Sequence, residues 1–156
     1  MSRTLILFVA LMMFACNAND SLINKLNPEF ENIYFDVVEK KIFVQPTLPK
    51  NVEKLVFKWF DDKIKLNGFD GNIEFLVTNY TQELSVINEG KRVDISLSFE
   101  VILSKPNPLQ KKIIKGKVSS YGDMIGNFSL DEFDTMIQNT QSDLILRLSR
   151  DLKSKI

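Results

Sequence analysis

The side chains able to do chemistry form a short list in this chain. There is no His among the 156 residues, so no imidazole base, no imidazole metal ligand and no Ser-His pair can be built. The one Cys, Cys16, follows an apolar run near the N-terminus. The domain beyond it therefore lacks a thiolate nucleophile, a zinc cysteine cluster and a disulfide. Two carboxylate groups stand close in sequence, Asp61-Asp62 and Asp131-Glu132-Asp134. The first pair falls in a predicted helix, where adjacent residues point in different directions and face solvent. The second falls in a helix's first turn, where acids offset the dipole. Gly68 and Gly71 are too sparse for a phosphate loop and read as a helix stop and a turn. Asn79-Tyr80-Thr81 and Asn127-Phe128-Ser129 match the glycan-acceptor pattern, which an Asn-rich chain meets often by chance. Neither catalytic residues, a metal site nor a cofactor are expected.

One cluster suits binding rather than catalysis. Lys105, Lys111, Lys112, Lys115 and Lys117 flank a segment stiffened by Pro106 and Pro108. As point charges they could meet the phosphates of a lipid head group or an anionic partner. The competing explanation is a lysine-guarded edge strand. Lys plus Arg equals Asp plus Glu at 20 each, so no global field recruits nucleic acid.

Arg3 followed by Leu5 to Ala15, eleven uncharged apolar residues, reads as a signal leader. The run is shorter than the ~20 residues that span a bilayer. Two cleavages compete. An ordinary signal peptidase would cut after Ala18, reading small residues at Cys16 and Ala18. Alternatively Met13-Phe14-Ala15-Cys16 resembles a bacterial lipobox, with Cys16 becoming the lipidated first residue. Either cut removes Arg3 and shifts the net charge from zero to about minus one. The expected division is a leader over 1–18, a tether over 19–32 and one α+β domain over 33–156.

The domain is organised around residues 92–104. Val93, Ile95, Leu97, Phe99, Val101 and Leu103 take every second place, with Arg92, Asp94, Ser96, Ser98 and Glu100 between them. That period predicts a strand with one dry and one wet face. Residues 33–45 predict one earlier strand, with a bulge near Glu39-Lys40 where the alternation slips. Residues 49–67 predict a helix whose stripe is Val52, Leu55, Val56, Trp59, Phe60 and Ile64, with Pro49 in its first turn and Gly68 as a left-handed stop. Trp59 reads as core. Residues 72–84 predict a strand joined by an Asn88-Glu89-Gly90 turn to the central one. Residues 112–121 predict a polar edge strand. Ser129 and Glu132 form a capping box, with Phe128 and Phe133 as its staple. The stripe Phe133, Met136, Ile137, Thr140, Leu144, Leu148 and Leu152 continues the helix to the C-terminus. The order β-α-β-β-β-α predicts a two-layer α+β sandwich of about four mostly antiparallel strands, covered on one face by two helices.

A lipobox-like leader followed by this element order over about 33–152 resembles the lipopolysaccharide-assembly lipoprotein (LptE) family, although Asn17-Ala18 stands where that family has Gly-Phe. Trp59, Ile64, Gly68 and Gly71 before a strand are also similar to small alphaproteobacterial envelope lipoproteins. These resemblances imply a non-enzymatic lipoprotein on the periplasmic side of the outer membrane. They also imply an outer-membrane β-barrel or lipid-transport complex as partner, and lipopolysaccharide or phospholipid head groups as contacts. The alternative is a free periplasmic or secreted binding domain with no role in envelope assembly.

Overall fold

A computed structural model describes residues 31–106 and 110–156. The leader with Cys16, most of the tether and Pro108 lie outside the described residues. The elements are β1 (Ile33–Phe35), β2 (Glu39–Phe43), α1 (Lys50–Lys63), β3 (Ile64–Leu66), β4 (Asn72–Ile87), β5 (Gly90–Ser104), β6 (Lys111–Ile125) and α2 (Leu130–Ser154).

The strict alternation of the central segment does produce β5, in which Val93, Ile95, Leu97, Phe99 and Val101 are at most 2% exposed. β5 pairs antiparallel with β4 on one side and β6 on the other, while β2 joins β4 in parallel. The resulting sheet has the order β2-β4-β5-β6. Both helices lie on the dry face, so the fold is the expected α+β arrangement of two layers. Trp59 and Phe60 of α1 pack on Phe75 of β4, at ring separations of 5.4 and 5.8 Å. Leu144, Leu148 and Leu152 of α2 are fully buried in the same core. β4 and β5 meet through a two-residue turn at Asn88-Glu89, where Glu89 takes φ 59°. The β4–β5 register shifts between Val77 and Asn79, leaving Thr78 as an extra residue. Before it Ile73, Phe75 and Val77 face the helices; after it Tyr80, Gln82, Leu84 and Val86 do.

The N-terminal strand departs from expectation. Residues 33–45 form two strands in two sheets, not one bulged strand. β1 pairs in parallel with β3 in a separate two-stranded sheet, and β2 joins the main sheet. Between them Val37 is buried at 1% exposure, while Val37 O accepts from Gly68 N and Val38 N donates to Gly71 O. The slip in alternation near Glu39 thus marks a change of sheet.

The first helix also ends earlier than its apolar period suggests. Lys63 is its last residue, and Ile64 turns extended at φ −82°, ψ 109°. The stop is a lysine from another strand. Lys40 Nζ donates to the carbonyl oxygens of Phe60, Asp61 and Ile64, each at 3.1 Å. It thereby satisfies acceptors that a helix end leaves open. Gly68 is not left-handed. It is required because a Cβ there would lie 2.3 Å from Val37 N. α2 begins as its sequence predicts: Ser129 Oγ accepts from Glu132 N at 3.2 Å, and Glu132 Oε2 accepts from Ser129 N at 2.7 Å. Phe128 and Phe133 stack at 5.9 Å beside this cap.

Candidate functional site

The five lysines do not form one patch. β5–β6 pairing sets Lys111, Lys115 and Lys117 opposite Ser104, Glu100 and Ser98, on the face away from the helices. Lys112 lies opposite Leu103, on the other face. Lys115 Nζ reaches Glu100 Oε2 at 2.9 Å. Lys105 is held at 2.5 Å by Asp36 and at 3.8 Å by Asp70. The hydrogen bond to Asp36 is the main reason its ammonium titrates above the ordinary lysine value. Lys105 therefore ties the β1–β2 joint and the loop before β4 to the end of β5. What remains for an anion is the outer face of the edge strand β6, at Lys111, Lys117 and in part Lys115. Cys16 lies outside the described residues.

Three of the clustered carboxylates, those of Asp61, Asp62 and Glu132, are similarly occupied. Asp61 lies 3.7 Å from Lys40, and Asp62 lies 3.8 Å from Lys58. The backbone N–H and the hydroxyl of Ser129 hold the Glu132 carboxyl below its usual range. A cleft of about 660 Å³ opens between β6 and the first half of α2, lined by Tyr121, Asp123, Met124, Met136, Asn139 and Asp143 among others. Two of its acids are tied down. Arg92 donates from Nε and Nη2 to the two oxygens of Asp123, at 2.6 and 2.7 Å, while its guanidinium lies over the Tyr121 ring at 4.7 Å. That hydrogen bonding lowers the Asp123 pKa. Asp143 accepts from Ser120 and from Arg147, each at 2.6 Å. Partial burial raises its pKa, but these bonds and the charges of Arg147 and Arg150 outweigh burial and lower it. Among the described residues no three acids stand together as a metal cage. The bonds of Asp123 and Asp143 tie β6 to β5 and to α2.

A polar network escaped the sequence reading. Asn51 Nδ2 donates to Gln141 Oε1 at 2.7 Å, Gln141 Nε2 donates to Gln82 at 3.4 Å, and Tyr80 OH donates to Gln82 at 2.8 Å. It links α1, α2 and β4. Gln141 is only 2% exposed and sits beside the apolar stripe of α2, a buried polar position that helical spacing alone does not reveal. Burial raises the Tyr80 pKa, and hydrogen bonding within this network offsets part of the rise.

The fold is that of a small α+β domain, and a solved bacterial lipoprotein shares it. A minor lipoprotein from Acinetobacter baumannii superposes with a TM-score of 0.52 at 10% identity, covering 76% of this chain and 93% of that one. Rare lipoprotein B from Shewanella oneidensis gives 0.45 at 11% identity, over 75% and 92% of the two chains. A Caulobacter crescentus protein described as a lipoprotein gives 0.45 at 10% identity, over 87% and 92%. The likeness is one of fold, and it rests on the first of these. No protein-family signature matches the chain, and no curated protein matches it by sequence.

Proposed function

We propose that this chain is a non-enzymatic lipoprotein on the periplasmic side of the outer membrane, anchored through Cys16, that assists lipopolysaccharide or lipid assembly through a protein partner. The observation that carries this reading is the placement of the chain's one Cys at the end of its leader's apolar run. The fold shared with the Acinetobacter baumannii lipoprotein supports it. Acyl chains contribute ~0.8 kcal/mol per buried methylene, so the folded part needs no membrane-spanning element of its own. Among the described residues no helix is long and apolar enough to cross a membrane. Lys111, Lys115 and Lys117 on the open face of β6 are the groups that would meet lipid phosphates.

Globomycin, which blocks the lipoprotein signal peptidase, tests the anchor in cells expressing the full chain. The unprocessed precursor should accumulate, and Cys16→Ser should abolish incorporation of radiolabelled palmitate into the chain. A mature chain beginning after Ala18 in treated cells would make it a free periplasmic domain. For the partner, affinity purification should recover an outer-membrane β-barrel or a lipid-transport complex. A chain that stays alone and ignores lipopolysaccharide would refute the assembly role.

A further inference from the structure

The sheet guards most of its rim. β6 carries Lys111, Lys112, Lys115 and Lys117 along one edge, and β2 carries Lys41 along the other. Lysines on an edge discourage pairing, because an incoming strand would have to desolvate them. β2, however, pairs only with residues 72–76 of β4. Thr78 O, just beyond, accepts from Gln45 Nε2. From Asn79 to the end of β4 at Ile87, the strand's ladder partner among the described residues is β5 alone. Among those residues no strand lies along the other side of its backbone there.

This stretch, NYTQELSVI, contains no Lys, Arg or Pro, and Glu83 is its one charge. Residues 81–86 are all exposed. Leu84 and Val86 are 56% and 86% exposed on the face that the helices cover lower down. Thr81, Glu83 and Ser85 occupy the opposite face, where Glu83 stands directly across from Asp94. Like charges placed opposite one another are unfavourable. The nearby Arg92 is already engaged by Asp123. The edge therefore offers unpaired backbone groups, an apolar row on one face and negative charge that Arg92 offsets only in part on the other.

Those three properties specify an occupant. We infer that residues 79–87 accept an extended strand of a partner protein in which apolar residues alternate with lysine or arginine. Backbone bonds supply affinity in such an addition, and alternate side chains supply specificity. The apolar residues lie beside Tyr80, Leu84 and Val86, and the cations lie against Glu83, with Asp94 one strand further in. A second copy of this chain is a poorer fit, because its own edge strand brings another Glu83 and no cation. The inference rests on the reading that the domain works through a protein partner. It does not depend on lipidation.

The test adds a ten-residue peptide alternating valine with lysine to the full processed chain, with a valine-glutamate peptide as control. Amide exchange is read residue by residue, and affinity by fluorescence anisotropy. Amides within 79–87 should slow in the lysine peptide only. Glu83→Lys, a change on an exposed strand face, should leave the melting temperature in place. It should weaken the lysine peptide by about tenfold and admit the glutamate peptide. Absence of protection at saturating peptide overturns the inference, as does equal binding of both peptides by both proteins. A dimer of the chain alone that protects these amides also overturns it and assigns the edge to self-association. If the peptide fails while globomycin blocks processing, the strand site falls and the anchor stands; the reverse pattern removes the anchor and keeps the site.

Discussion

Gly116→Ala probes how little room the sheet's interior has. Gly116 lies across from Phe99 in the β5–β6 register. An added Cβ would sit 2.4 Å from both Cε1 and Cζ of Phe99, and 2.5 Å from Asp151 Oδ2. Carbon atoms normally rest ~3.5–4.0 Å apart, so the ring would have to retreat by about 1 Å. It has nowhere to go. Phe99 is 2% exposed and stacks on Phe75 at 5.6 Å, and Phe75 is wedged in turn against Trp59 and Phe60. The Asp151 carboxylate, at the end of a side chain, can swing aside. Overpacking of this kind costs ~1–3 kcal/mol. Phe99→Leu removes the offending ring atoms at a similar cost in lost burial, on the order of 1–2 kcal/mol. In the double variant each change relieves the other, so the combined loss should fall short of the sum by ~1–2 kcal/mol. Urea unfolding of the four proteins, followed through the emission of Trp59, the chain's one Trp, measures the cycle. Additivity within ~0.5 kcal/mol would refute the claim that the ring is pinned.

Two further outcomes follow from local geometry. Gly68→Ala should cost about 3 kcal/mol, at the upper end for overpacking, because its Cβ meets the backbone of Asp36 and Val37 rather than a movable side chain; a thermal melt checks it. Glu132 is held below its ordinary value of 4.5, so its contribution to the α2 cap is complete above that pH and vanishes as pH falls through the folded-state value. The stability gap between the natural chain and Glu132→Gln should therefore be widest near neutrality and close in acid; denaturant melts across that range would show a constant gap if the cap bond were absent.

What the sequence revealed was governed by distance along the chain. The period of β5 and the cap of α2 depend on residues within a few positions of one another, and both stand where local reasoning puts them. Trp59 as core was legible for the same reason. The division of residues 33–45 between two sheets was not, because it depends on β3, whose Ile64 continues the apolar stripe of α1. Nor was the end of α1, which is set by Lys40 from more than twenty residues upstream. The lysine cluster was half legible. Strand parity alone separates Lys112 from Lys111, Lys115 and Lys117, whereas the capture of Lys105 by Asp36 needs the tertiary fold. The open edge of β4 became visible only once β2 was seen to stop pairing at Leu76.

The extra residue at Thr78 also governs how the outer hairpin can change in length. Since it has already reset the inside-outside phase, deleting two residues from each arm beyond it would leave every remaining side chain on its present side. Deleting one from either arm would turn that arm inside out. The hairpin can thus be shortened or extended in steps of about 7 Å, provided that β6, which pairs with β5 as far as Gly90, changes by the same two residues.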